Sequence, residues 1–131
     1  MKGQFLGLVI IIDDDKDICD LLAHLLEHAG YETQQAYDGL SAIKLLSQFE
    51  PDVLLLDMVI PEPDGMTVLA KARILYPLLP VIIITGKTGS LNDISEIKAI
   101  AFDYIPKPFY NNGILEVVNR AMQTSASNLN S

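Results

Sequence analysis

Cationic residues are scarce in this sequence, and cysteine scarcer still. Nine Lys and Arg stand against seventeen Asp and Glu, for a formal net charge of -8. That balance argues against the chain gripping a nucleic-acid backbone by itself, because phosphate contacts need clustered cations. A single cysteine, Cys19, excludes an internal disulfide and suits a reducing compartment. In its helical context it reads as a buried or inert thiol rather than a nucleophile. No apolar run approaches the length needed to span a bilayer. Lys2 and the apolar stretch 5–12 superficially suggest a secretory signal, but the stretch leads into Asp13-Asp14-Asp15 with no small-residue cleavage site. A cytoplasmic protein without a membrane segment is expected.

What is present suffices for one domain: 131 residues, 50% of them hydrophobic, support a single core at this size. Thirteen of the seventeen acids fall at or before Asp64. Part of that crowding is solvated surface, and the rest is a candidate cation site.

The stretch from Val53 to Gly65 organises the chain. Val53-Leu54-Leu55-Leu56, bounded by Pro51-Asp52 and by Pro61, Pro63 and Gly65, reads as a strand buried on both faces, as in parallel sheets. Asp57 then stands at the strand's carboxyl end, the edge where open α/β sheets bind ligands. A plainer reading remains beside it, in which Asp57 merely opens a turn and Asp64 caps the next helix.

Before this stretch, Leu8 to Ile12 is a second buried strand ending in acids. Ile18, Leu21, Leu22, Leu25, Leu26 and Ala29 then repeat at helical spacing, with Gly30 as a stop. Residues 31–36 form a more polar strand suited to a sheet edge, and Ala42, Ile43, Leu46 and Phe49 make a second helix face. After it, Val68, Leu69, Ala72 and Leu75 line a third helix ended by Pro77 and Pro80, and Val81 to Ile84 make the fourth strand. Ile94, Ile97 and Ala101 mark a fourth helix, Tyr104-Ile105 a short fifth strand, and Ile114, Leu115, Val118, Ala121 and Met122 a fifth helix. Five βα units in succession predict one doubly wound (βα)5 domain over residues 1–122, with a five-stranded parallel sheet covered on both faces. Residues 123–131, polar and small, read as a frayed tail or the start of a linker.

With the strands placed, distant residues converge on one sheet edge. Asp13 and Asp14 end the first strand, Asp57 the third and Thr85 the fourth, and Lys107 follows the fifth. Three carboxylates there repel unless a cation sits among them, and oxygen-only ligands select a hard ion such as Mg2+. A carboxylate nucleophile, a hydroxyl and an ammonium then describe an aspartyl-phosphate site.

These residues together resemble a response-regulator receiver domain of two-component signalling, over essentially Leu8 to Met122. The resemblance implies a flavodoxin-like sheet of order 2-1-3-4-5. It implies Asp57 as phosphoacceptor, with Asp13, Asp14 and the backbone carbonyl of Val59 holding Mg2+ beside it. It further implies Thr85 as the switch hydroxyl, Tyr104 as the switch aromatic, Lys107 as the phosphate-contacting lysine and a cis peptide before Pro108. The stretch 102–109 is similar to receivers attached to sigma-54-dependent transcriptional activators. One departure is Ile100, where many receivers carry Gly, which adds apolar surface near the signalling face; Phe102 beside it reads as patch or as core.

Competing motifs fare worse. His24-Leu25-Leu26-Glu27-His28 fits an inverted zinc-protease signature, yet these polar side chains lie off the apolar stripe, as a solvated face does. Gly86-Lys87-Thr88 lacks the earlier Gly of a phosphate-binding loop, with Val81 standing in its place. Asp13-Asp14-Asp15 also resembles the nucleophile motif of haloacid-dehalogenase-type phosphatases, with Asp13 attacking. Against that enzyme reading, Asp17 stands where Thr or Val is usual, no acidic pair follows Lys107, and a cap domain is missing.

The expected function is a phosphorylation-controlled switch rather than an enzyme. It takes a phosphoryl group from a sensor histidine kinase or histidine phosphotransfer domain and signals to an output domain or protein, transcriptional if the sigma-54 kinship holds. A phosphorylation-dependent homodimer is one form that output takes in such a reading.

Overall fold

The apolar runs of the sequence become the middle of a sheet. A computed structural model describes residues 5–86, 94–107, 109 and 111–130. Strands β1 (Leu8–Ile12), β2 (Glu32–Ala36), β3 (Val53–Asp57), β4 (Val81–Thr85) and β5 (Asp103–Pro106) alternate with helices α1 (Lys16–His28), α2 (Gly39–Gln48), α3 (Gly65–Leu75), α4 (Ile94–Ile100) and α5 (Asn111–Asn130). All neighbouring strands are parallel, in the order β2-β1-β3-β4-β5. The expected (βα)5 architecture and strand order are therefore both present.

Successive side chains of a strand face opposite ways, and the central strands feed two cores. Val9, Ile11, Val53, Leu55, Ile82 and Ile84 pack with residues of α1 and α5, whereas Ile10, Ile12, Leu54, Leu56, Val81 and Ile83 pack with residues of α2, α3 and α4. At roughly 1.5–3 kcal/mol per fully buried Leu or Ile, residues 53–56 anchor β3 firmly enough to carry a buried carboxylate at its end. The polar β2 pairs only with β1 and forms an edge, as its composition predicts.

Aspartates start the first three helices. Asp15 accepts N–H bonds from Asp17 and Ile18, Asp38 from Ser41, and Asp64 from Thr67, each satisfying an otherwise orphan donor of a first turn. For Asp64 the plainer cap reading is the correct one. Leu21 and Phe49, expected on buried helix faces, are exposed, while Cys19 and Ala23 are buried in α1. The apolar stripe is thus rotated toward the side where α1 meets β1 and α5. Ile100 ends α4 half-buried against the α2–α4 core, and Phe102 packs against the opposite one. The apolar surface expected at these two residues is largely covered. Residues 123–130 continue α5 as helix.

Candidate functional site

Two glycines let the sheet's carboxyl edge close into a site. A Cβ at Gly65 would overlap the backbone of Met58, and one at Gly39 would overlap the Pro63 carbonyl. The turn that follows β3 can therefore lie directly against the starts of α2 and α3. Gly39 N–H donates to Pro61 O at 3.0 Å and Gly65 N–H to Met58 O at 3.3 Å, which pins that turn beside Asp57. Nothing in the spacing of apolar residues announces these contacts; a Gly immediately after the capping Asp38 and Asp64 is the signal.

The three consecutive acids after β1 have three different fates. Asp13 is fully buried, Asp14 is exposed, and Asp15 caps α1. Asp13 Oδ1 accepts the Asp15 N–H at 2.9 Å, and the Cys19 thiol donates to the Asp13 carbonyl at 3.3 Å. Burial, and then the charge of Asp13, push that thiol up to about 12, so Cys19 is inert as a nucleophile, as its helical setting suggests.

Asp57 is 5% exposed at the end of β3. Its Oδ1 accepts the Val59 N–H at 2.9 Å and its Oδ2 accepts from Lys107 Nζ at 2.9 Å. Burial raises its pKa above the ordinary carboxylate value, against the hydrogen bonds from Val59 and Lys107, which favour the ionised form. The Lys107 ammonium also lies 2.8 Å from Asp13 Oδ2. That ion pair is the contact Asp13 Oδ2 makes among the described residues, and no well-aligned hydrogen bond reaches this buried oxygen. Burial opposes the Lys107 charge, but Asp13 and Asp57 outweigh it and raise its pKa.

Carboxylate oxygens of Asp13, Asp14 and Asp57 lie within 4.8 Å of one another. A hard cation with oxygen ligands fits this donor set, and the buried Asp13 Oδ2, which has the Lys107 ammonium beside it but no well-aligned hydrogen bond, has lone-pair capacity for such an ion. Val59 follows Asp57 in the pinned turn. Thr85 closes β4 with its backbone paired to Pro106, and Tyr104 pairs with Ile83 and sits half-buried against the α2–α4 core. The expected cis peptide at Pro108 lies outside the described residues. Of the competing motif, His24 and His28 stack with ring centroids 6.4 Å apart and the Glu27 carboxylate accepts from the Thr33 hydroxyl, all on the outer face of α1.

Comparisons with known proteins agree with this geometry. The response regulator receiver domain family matches residues 9–119. NtrX from Brucella abortus, solved in complex with ATP, is 31% identical with a TM-score of 0.86, over 96% of this chain and 29% of that one. This chain thus spans less than a third of the full NtrX chain. The isolated receiver domain of NtrX from the same organism is 33% identical with a TM-score of 0.80, over 88% of this chain and 98% of that one. A CheY-like receiver from Methanospirillum hungatei JF-1 is 27% identical with a TM-score of 0.84, over 92% and 97%. The phosphatase reading gains no support from these matches, and none of the described helices is long and apolar enough to cross a membrane. The chain belongs to the response regulator receiver domain family, the phosphoacceptor modules of two-component signalling.

Proposed function

We propose that Asp57 is the phosphoacceptor, and that Asp13, Asp14 and the Val59 backbone carbonyl join it in holding Mg2+. One observation carries the reading: the Lys107 ammonium bridges Asp57 Oδ2 and Asp13 Oδ2 at 2.9 and 2.8 Å, so a cation already balances buried carboxylates at the place where a phosphoryl group would arrive. A carboxylate oxygen of Asp57 attacks the phosphorus of a phosphohistidine, the P–N bond breaks, and the imidazole leaves with the bonding pair. The product is an acyl phosphate on Asp57. When bound, Mg2+ supplies Lewis-acid neutralisation of the phosphoryl oxygens. Lys107 shifts from the carboxylates to a phosphoryl oxygen, and the Val59 N–H keeps the Asp57 carboxyl aimed. The Thr85 hydroxyl then turns to the phosphate, and Tyr104 follows it inward to change the outer surface.

In this reading the domain assists its own transfer and turns over no separate substrate. The donor is a sensor histidine kinase or histidine phosphotransfer domain, in the cytoplasm where Cys19 stays reduced. The output is a further domain or protein, with the NtrX matches consistent with the sigma-54-associated type, and a phosphorylation-dependent homodimer is one form of it. Residues 1–122 are the receiver and 123–131 a polar tail or the start of a linker, with 123–130 continuing α5 as helix. The net charge of -8 supports the absence of direct nucleic-acid contacts.

The test is intact-mass spectrometry after incubation with Mg2+ and acetyl phosphate. Wild type gains one phosphoryl group, lost on hydroxylamine treatment, and Asp57→Asn gains none. Label mapped to Asp13 would transfer the site to the phosphatase reading.

A further inference from the structure

Helix α3 carries large apolar side chains exposed to solvent. Met66 and Ile74 on α3 are 42% and 74% exposed, and Leu78 in the turn after it is 69% exposed. Met66, Ala70 and Ile74 are spaced by four, so they form one stripe on the outside of α3, with Ala70 exposed between the other two. Helix α3 therefore presents apolar side chains outward as well as inward, where Val68, Leu69 and Ala72 are buried. Beside the stripe, between α3 and the end of α4, lies a cavity of 540 Å3 bordered by Leu69, Arg73, Leu78, Ile100 and Phe102.

Arg73 is the charged group of this cavity. Its Nη1 donates to the Leu79 carbonyl and its Nη2 to the Ile100 carbonyl at 3.1 Å. Among the described residues no carboxylate pairs with it, and burial presses its pKa below the ordinary guanidinium value. The surrounding sequence has the same sign: no acid occurs between Asp64 and Asp93, whereas Lys71, Arg73 and Lys87 do. Asp64 itself is engaged at the α3 N-terminus by the Thr67 N–H and hydroxyl. In a chain of net charge -8 this is a local reversal.

We propose that the α3 stripe and the adjoining cavity form a docking surface for an amphipathic helix of a partner protein whose apolar face is flanked by acidic side chains. Apolar anchors of such a helix would enter the cavity and lie along Met66, Ala70 and Ile74, while its carboxylates reach Lys71 and Arg73. A small anion would leave the stripe uncovered. A second copy is disfavoured because a two-fold interface on α3 sets Arg73 and Lys71 against their own like charges. The surface stands whether or not Asp57 is the phosphoacceptor.

The test selects helices from a displayed library of amphipathic sequences, with randomised flanking positions, on the 131-residue chain. Supporting results are enrichment of Asp and Glu at the flanks, amide shifts centred on Met66, Ala70 and Ile74, and at least about tenfold weaker binding to Ile74→Glu. Ile74 is exposed, and a thermal melt of the variant confirms that it folds. Lys71→Glu should lose the acidic preference. No enrichment, enrichment without acidic flanks, or equal binding to Ile74→Glu overturns the proposal. Dimerisation of the chain abolished by Ile74→Glu would assign the surface to a second copy, and inorganic phosphate binding at Arg73 with no helix selected would assign it to a small anion; either result overturns the helix partner.

Discussion

Lys107 Nζ lies 2.9 Å from Asp57 Oδ2 across 50 positions of sequence. The same ammonium reaches Asp13, so one cation serves two buried carboxylates that otherwise repel, with a third, Asp14, close by.

Removing one of those charges should stabilise the metal-free protein. Asp57→Asn keeps the shape and leaves Lys107 with Asp13, and a gain of about 1 kcal/mol is expected. The sign with pH follows from the raised Asp57 pKa. Below the unfolded value of 3.8 the carboxyl is protonated in both states and wild type and variant differ least. As pH rises above it, the unfolded chain ionises first and wild type loses stability relative to the variant. Urea melts at about pH 2.8, one unit below the unfolded value of 3.8, and at pH 7 should show the gap widening; a gap that narrows refutes the electrostatic account.

Divalent cation should act as a stabilising ligand. At a concentration one hundred times its dissociation constant, Mg2+ should add about 2.7 kcal/mol. Asp13→Asn, which removes the buried oxygen that no well-aligned hydrogen bond reaches, should abolish most of that increment. Thermal melts with and without MgCl2 read it directly, and EDTA should block acetyl phosphate labelling of wild type.

Lys107 and the proposed metal draw on the same two carboxylates, Asp13 and Asp57. Lys107→Met should therefore bind Mg2+ several-fold more tightly while its metal-free form becomes less stable, because the lost partner leaves buried charge uncompensated by about 3–5 kcal/mol before protonation or metal relieves it. Lys107 with its raised pKa contributes this stability fully below pH 10.5, and loses it as pH climbs through the folded value. Unchanged Mg2+ affinity in the variant would separate the two sites.

Gly65→Ala should damage the site without touching a charged group. The added Cβ meets backbone at Met58, which cannot swing away as a side-chain end can, and overpacking of this kind costs about 1–3 kcal/mol. The turn that holds the Val59 N–H on Asp57 must move, so labelling should slow more than stability alone explains. Equal labelling rates at matched folded fraction would show that the turn tolerates the shift.

Activation should be visible away from the pocket. Beryllofluoride, standing in for the phosphoryl group, should shift amide resonances across α4, β5 and α5 as well as around Asp57. Thr85→Ala should confine the shifts to the pocket. Shifts confined to the pocket in wild type would sink the output surface, and large distant shifts that survive in Thr85→Ala would remove the threonine from the switch.

The strands and the site were legible because they rest on unbroken patterns. Residues 9–12, 53–56 and 81–84 are buried on both faces, and a strand of that kind must show an apolar run in sequence. Once β1, β3 and β5 are parallel neighbours or near neighbours, Asp13, Asp57 and Lys107 have nowhere to go but one edge. Helix faces were read less well, since a spacing rule cannot tell Leu21 or Phe49, exposed here, from Leu22 and Leu46, buried here. The inner and outer apolar stripes of α3 look alike for the same reason. Gly39 and Arg73 act through contacts with Pro63 and Ile100, distant along the chain, and Gly65 through the turn back to Met58, which no apolar spacing encodes.

The strand order has a consequence for when the domain becomes competent. Asp13 leaves β1, Asp57 leaves β3 and Lys107 leaves β5, and β5 is the last strand added to the sheet, held only by β4. A nascent chain with four strands in place already carries the acidic residues but not the ammonium that balances them. Their mutual repulsion is then relieved only by metal or by protons, and the site gains a counter-charge of its own when the chain has been made past residue 107. If Lys107 acts as proposed, competence to take a phosphoryl group reports that synthesis and folding have both passed the fifth strand.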